Sequence, residues 1–114
     1  MVRPPYQVEW VFGTDDDLRH LAAIDIRLGR IGRQVALDVA ERHKHGKALG
    51  ERHVTGGPTG CFRLTFDLPE HRPERFRLVY DRPTPTTIRV IGIGEREGSD
   101  VYQTIVQRLR DLMS

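Results

Sequence analysis

The side chains best suited to chemistry in this sequence are its arginines. Sixteen of the eighteen basic residues are arginine, and only Lys44 and Lys47 are lysine. A guanidinium offers a rigid fork of donors that matches a phosphate or a carboxylate, but it keeps its proton and makes a poor base. A compositional habit of the source organism would produce the same skew. Other reactive types are sparse. Cys61 is the sole cysteine, so it closes no internal disulfide and joins no metal-binding cysteine cluster. At a strand start it reads as a small buried hydrophobe rather than a nucleophile. The five histidines are scattered, and His43 and His45, two apart on a helix, face different ways. No metal site is expected from them. Gly92-Ile93-Gly94 follows a strand but lacks the rest of a dinucleotide fingerprint, and no cofactor is expected.

The elements that must position these side chains fit one domain spanning residues 1–114. A chain of this size buries roughly two-thirds of its unfolded surface and folds without staples. No apolar run is long enough to span a bilayer, and Met1 to Tyr6 lacks the layout of a signal peptide. A soluble, cytoplasmic protein without a membrane partner is therefore expected. The net charge of +2 is a weak argument for nucleic acid. Neither half is a basic tail, since residues 1–60 and 61–114 each carry nine basic and eight acidic side chains.

Gln7 to Phe12 is rich in β-formers and reads as a first strand stopped by Gly13. Thr14 followed by Asp15, Asp16 and Asp17 reads as a helix start, a side-chain cap with acids at the positive end of the dipole. Leu18, Leu21, Ile24 and Leu28 share a helical stripe that Gly29 is expected to end. Ile31, Val35, Ala36, Val39 and Ala40 form the stripe of a second helix, finishing in His43, Lys44 and His45 with Gly46 beyond. Residues 46–60 hold five glycines and read as a loop. Phe62, Leu64, Phe66 and Leu68 then alternate with Arg63, Thr65 and Asp67, as do Phe76, Leu78 and Tyr80 with Arg77, Val79 and Asp81. Ile88 to Ile93 suits a central strand. Ser99 is placed to cap a last helix with Val101, Ile105, Leu109 and Leu112 on one stripe. The order is β-α-α-β-β-β-α, a small α+β domain.

The two alternating strands suggest a register. Setting Arg63 opposite Asp81 sets Asp67 opposite Arg77, with Leu64 against Tyr80, Phe66 against Leu78 and Leu68 against Phe76, so both faces match. In that register Arg63 and Arg77 are held in exposed cross-strand ion pairs, each worth about 0–1 kcal/mol. The corresponding plain reading of Arg96 is an exposed pair with Glu97, and that of Tyr102 is partial core packing.

Three segments in order carry a family resemblance. Gly94-Glu95-Arg96-Glu97-Gly98-Ser99-Asp100-Val101-Tyr102 resembles the Gly-Lys-Arg-Glu-x-Ser-Glu-Val-Tyr segment of RelE-type toxins. Phe76-Arg77-Leu78-Val79-Tyr80 resembles the strand that precedes it, and Cys61-Phe62-Arg63-Leu64 the strand before that. The chain thus resembles the RelE/ParE superfamily of bacterial type II toxins over nearly its whole element order, with strong local matching from Cys61 onward. That fold has an N-terminal strand, a helical hairpin, a three-to-four-stranded antiparallel sheet and a C-terminal helix.

The resemblance implies a ribosome-dependent endoribonuclease that cuts messenger RNA without a metal, uses the RNA's 2′-hydroxyl as nucleophile and is neutralised by a cognate antitoxin. By the same resemblance Arg63 and Arg77 contact the scissile phosphate from two strands. Arg96 stabilises developing charge or serves near the leaving group, and Tyr102 stacks on or orients a base. The sequence departs from the family where RelE-type toxins carry further basic residues, lysine among them, because the same-face positions here are Thr65 and Asp67. The group that takes the hydroxyl proton is then open among Asp67, Glu95, Glu97, His53 and His71. Two other functions remain for this fold: a ParE-like inhibitor of gyrase, favoured by the missing strand lysines, and a catalytically silent interaction module, favoured by Asp67 and Asp81 if they face the arginines.

Overall fold

The computed structural model describes residues 3–49, 60–97 and 100–113. Its elements are β1 (Gln7–Trp10), α1 (Thr14–Ile24), α2 (Ile26–Ala40), β2 (Lys47–Ala48), β3 (Cys61–Phe66), β4 (Phe76–Thr84), β5 (Thr87–Glu95) and α3 (Asp100–Met113). The expected α+β architecture is present. The strands form one five-stranded sheet in the order β1-β5-β4-β3-β2. The three strands from Cys61 onward pair antiparallel, as does β2 with β3, while β1 joins the β5 edge in parallel. Four antiparallel strands, β2 to β5, and the N-terminal strand β1 thus match the expected sheet. The stretch read as a loop contributes β2 at its start. His53 and the expected cap at Ser99 lie outside the described residues.

Period-two alternation sorts the sheet into two faces. Phe66, Phe76, Leu78, Tyr80, Ile88, Val90 and Ile93 are buried against Leu18, Leu21, Leu28, Val35, Ala36 and Val39 of the α1–α2 hairpin. Cys61, Val79 and Ile91 point the other way and are buried with Val11, Leu49 and α3's Tyr102 and Ile105. The last helix lies along β5.

The helical boundaries differ from the glycine-based reading. The break between α1 and α2 falls at Asp25, whose carboxylate accepts the Arg27 amide at 2.9 Å and so caps α2. Gly29 is inside α2, where a Cβ would lie 3.1 Å from the Ala22 Cβ. It permits close approach of the two helices instead of ending one. Nor does Thr14 cap α1. Gly13 occupies the cap position with φ 103°, and the buried Thr14 hydroxyl donates to the Val11 carbonyl at 2.7 Å. Any Cβ on Gly13 would meet the Arg108 guanidinium at 2.6 Å, so the left-handed backbone and the lack of space both require glycine there.

Arg108 anchors α3. Its guanidinium makes a two-point contact with Asp17 of α1, at 2.7 and 3.1 Å, and donates to the Ile91 carbonyl at 2.8 Å. Asp17 also accepts the Ile93 amide at 3.1 Å. One largely buried ion pair thus ties α1, β5 and α3 together.

Candidate functional site

The register of β3 with β4 decides what Arg63 and Arg77 can do. Cys61 lies opposite Asp81, Arg63 opposite Val79, Thr65 opposite Arg77 and Phe66 opposite Phe76. The strands are therefore displaced by two residues from the expected register, and Arg63 is not paired with Asp81, nor Arg77 with Asp67. A two-residue shift keeps every side chain on its own face, so alternation cannot distinguish the two registers. What does distinguish them is the demand for hydrogen bonds at the strand ends.

Asp67 closes the β3–β4 connection. Its side chain is fully buried and accepts the Leu68 amide at 2.7 Å, the Arg75 amide at 2.9 Å and the Arg75 guanidinium at 2.7 and 2.9 Å. The Arg75 bonds, together with the two backbone amides, hold its carboxyl far below the usual carboxylate range despite burial. Asp81 is taken by Arg89 of β5 through two contacts at 2.9 and 2.5 Å. Both acids assigned to the arginine face from the sequence are committed elsewhere. Asp67 in particular has every lone pair in use and is unsuited to accept a proton from a substrate.

Without those partners, three arginines converge. Arg77 is only 6 % exposed, and burial followed by the charges of Arg63 and Arg96 holds its guanidinium down at about 10. It remains protonated at neutral pH. Its guanidinium carbon lies 5.4 Å from the centroid of the Tyr102 ring, a cation–π arrangement. Among the described residues, the buried Nε atoms of Arg63 and Arg77 have no hydrogen-bond partner. Arg96 follows the end of β5. Its amide donates to the Arg75 carbonyl at 2.6 Å and its guanidinium approaches the Glu74 carbonyl at 3.5 Å. No described carboxylate pairs with it, Glu97 included. Strand register brings Arg63, Arg77 and Arg96 into one cluster, Arg63 diagonal to Arg77 and Arg96 two residues past Gly94, which is opposite Arg77, and the cation–π contact adds Tyr102.

Tyr102 is 4 % exposed and belongs to the core beneath α3. Its ring is a floor for Arg77, which makes the packing reading and a role in the site compatible. Burial pushes the Cys61 thiol up to about 11, consistent with a structural residue. Among the described residues no group of His, Cys, Asp and Glu could hold a metal, and none of the described helices is long and apolar enough to cross a membrane.

Two residues near the cluster escape sequence reasoning. Glu74 accepts the Thr65 hydroxyl at 3.1 Å, next to the position opposite Arg77, and also meets Arg72 at 3.4 Å. Lys47 on β2 lies directly opposite Arg63, although the glycine-rich stretch that holds it reads as a loop. Neither has a signal in local spacing, because each is delivered by strand or turn pairing.

A helical hairpin on one face of this sheet and a C-terminal helix on the other make up the RelE-type toxin fold. A solved structure that it resembles is that of the E. coli toxin RelE, a mutant with two arginines replaced by alanine, in the free state. The match has a TM-score of 0.57 and 20% identity and covers 92% of this chain and 98% of that chain. No protein-family model matches the chain, and no curated protein matches it in sequence. The structural likeness is one of fold.

Proposed function

We propose that this chain is the toxin of a type II toxin–antitoxin pair and a metal-independent, ribosome-dependent endoribonuclease of messenger RNA. The observation that carries this reading is the cluster of Arg63, Arg77 and Arg96, three like charges gathered without a described carboxylate between them. Such an arrangement is electrostatically costly in the free protein and is relieved by a bound anion. A phosphodiester fits the forked donors of arginine, and attack by an adjacent 2′-hydroxyl places extra negative charge on that phosphate in the transition state.

Arg77, buried and braced on Tyr102, holds the phosphate in a fixed geometry. Arg63 approaches from the neighbouring strand, and Arg96 at the end of β5 meets charge developing toward the leaving oxygen. Tyr102 acts by orienting Arg77. Glu74 joins the carboxylates at 95 and 97 as an acceptor for the 2′-hydroxyl proton, while Asp67 leaves that set. An antitoxin is the natural partner, with the ribosome and its message as the target.

The interaction-module reading loses its main support, since Asp67 and Asp81 do not neutralise Arg63 and Arg77. Inducible expression with transcript mapping tests the proposal. Translation should stop with messages cut inside reading frames, and Arg77→Ala should relieve the arrest. Arrest with intact messages and a block in supercoiling supports gyrase inhibition instead. A folded protein without any growth effect leaves the interaction module.

A further inference from the structure

Lys47 extends the arginine cluster to the far edge of the sheet. It lies directly opposite Arg63 in the antiparallel β2–β3 pair, and directly opposed residues project to the same face. Arg63 in turn lies diagonal to Arg77, which is opposite Thr65. Arg77 is opposite Gly94, two residues before Arg96. Cations are thus supplied by β2, β3, β4 and the end of β5 in successive strands. With neighbouring strands about 4.8 Å apart, the track from the strand of Arg77 to that of Lys47 spans about 10 Å.

This face also contains acids, and they are occupied. Asp81 is held by Arg89, and Glu74 by Thr65 and Arg72. Lys47 is exposed, and no described carboxylate pairs with it, in contrast to Lys44, which meets Asp38 at 3.7 Å. On the other side of the cluster, α3 lies along β5 and its Tyr102 and Ile105 fill the space above the sheet. Among the described residues, an extended polyanion held at Arg77 meets further cations over β3 and β2 and the packed side chains of α3 over β5.

Building on the endoribonuclease reading, we infer that the RNA strand crosses the sheet transverse to the β-strands and leaves over the β2 edge, where Lys47 binds a phosphate flanking the scissile one. A lysine on an edge strand also discourages edge-to-edge pairing, so the test must separate substrate binding from that role. A phosphate contact is recovered by another cation and reversed by an anion, whereas an edge guard needs only a charge of either sign.

The experiment compares wild type with Lys47→Ala, Lys47→Glu and Lys47→Arg, and with Lys44→Ala as control, in cleavage of ribosome-bound message. Thermal melting confirms that all are folded. Lys47→Ala should raise the concentration for half-maximal cleavage about 3- to 10-fold with little change in maximal rate, as expected for loss of one phosphate contact. Lys47→Glu should be worse, Lys47→Arg close to wild type, and Lys44→Ala unchanged. Equal activity of Lys47→Glu and wild type overturns the inference while leaving the nuclease reading intact. Absence of cleavage by wild type overturns the nuclease reading. In that case, binding of a single-stranded oligoribonucleotide at low salt decides the path by itself: weaker binding by Lys47→Glu supports it, and equal binding overturns it.

Discussion

Seven arginines of this protein form two groups with opposite electrostatics. Arg27, Arg75, Arg89 and Arg108 each grip a carboxylate: Asp25 and Glu70, Asp67, Asp81, and Asp17 respectively. They close a turn, join strands or fasten a helix. Arg63, Arg77 and Arg96 crowd one another on the sheet face beside α3, and no described carboxylate joins them. The first group is organised for folding, where charge is neutralised inside the chain. In the second no described carboxylate neutralises the charge. Residue type is identical in both, so only the long-range contacts of each guanidinium separate them.

The sharpest break in that comparison comes from the paired group. Arg108→Ala strands Asp17 among α1, β5 and α3 and removes a donor from the Ile91 carbonyl. Loss of one member of such a largely buried pair should cost about 3–5 kcal/mol, read from chemical denaturation. An unfolding free energy within about 1 kcal/mol of wild type would remove Arg108 from the structural group.

Next in size is the activity of the unpaired group. Arg77→Ala should lower message cleavage by about 100-fold or more, the scale of losing one donor that stabilises a charged transition state. Single-turnover cleavage on programmed ribosomes measures this, and an undiminished rate would place Arg77 outside the chemistry.

A smaller effect follows from Asp67. Its carboxyl is depressed in the folded chain, chiefly by Arg75, so the folded state binds that proton more weakly than the unfolded state. The resulting stabilisation is complete above about pH 5 and drains away as pH falls below about 4, the ordinary carboxylate value. Denaturant midpoints should fall along that acid limb in wild type. They should fall less steeply in Asp67→Asn, which starts about 2 kcal/mol less stable at neutral pH after losing charge-assisted bonds. Parallel acid limbs in the two proteins would show that the Asp67–Arg75 pair is not the source.

The least dramatic change is the most diagnostic. Arg77→Met retains an extended apolar stem over Tyr102 and deletes a buried charge repelled by two neighbours. Its stability should match wild type or exceed it by about 1 kcal/mol, even as cleavage is lost. A clear loss of stability would mean that Arg77 belongs with the paired arginines after all.

Much of this architecture is legible along the chain. The alternation of Phe62 to Leu68 and of Phe76 to Asp81 identifies two strands and assigns Arg63 and Arg77 to one face. The stripes of Leu18 and Leu21 and of Val35, Ala36 and Val39 identify the hairpin that covers the other. The helix break was less legible, because Gly29 and Asp25 both carry plausible signals. Asp25 prevails through its cap bond to the Arg27 amide, and Gly29 is used for packing on Ala22. Tyr102 lay beside the apolar stripe of Val101, Ile105 and Leu109, yet it is buried with Ile105 beneath α3.

By itself, then, the sequence determined which side chains share a strand face and which stripes seek a core, because those properties repeat every two or 3.6 residues. It left the β3–β4 register undecided between alternatives two residues apart, since such a shift leaves both faces chemically unchanged. Tertiary structure chose between them by giving Asp67 to Arg75 and Asp81 to Arg89, where buried carboxylates find enough donors. The same long-range pairing set Lys47 opposite Arg63. Contacts across sixteen residues and a change of strand have no local period, and only the folded sheet could bring them together.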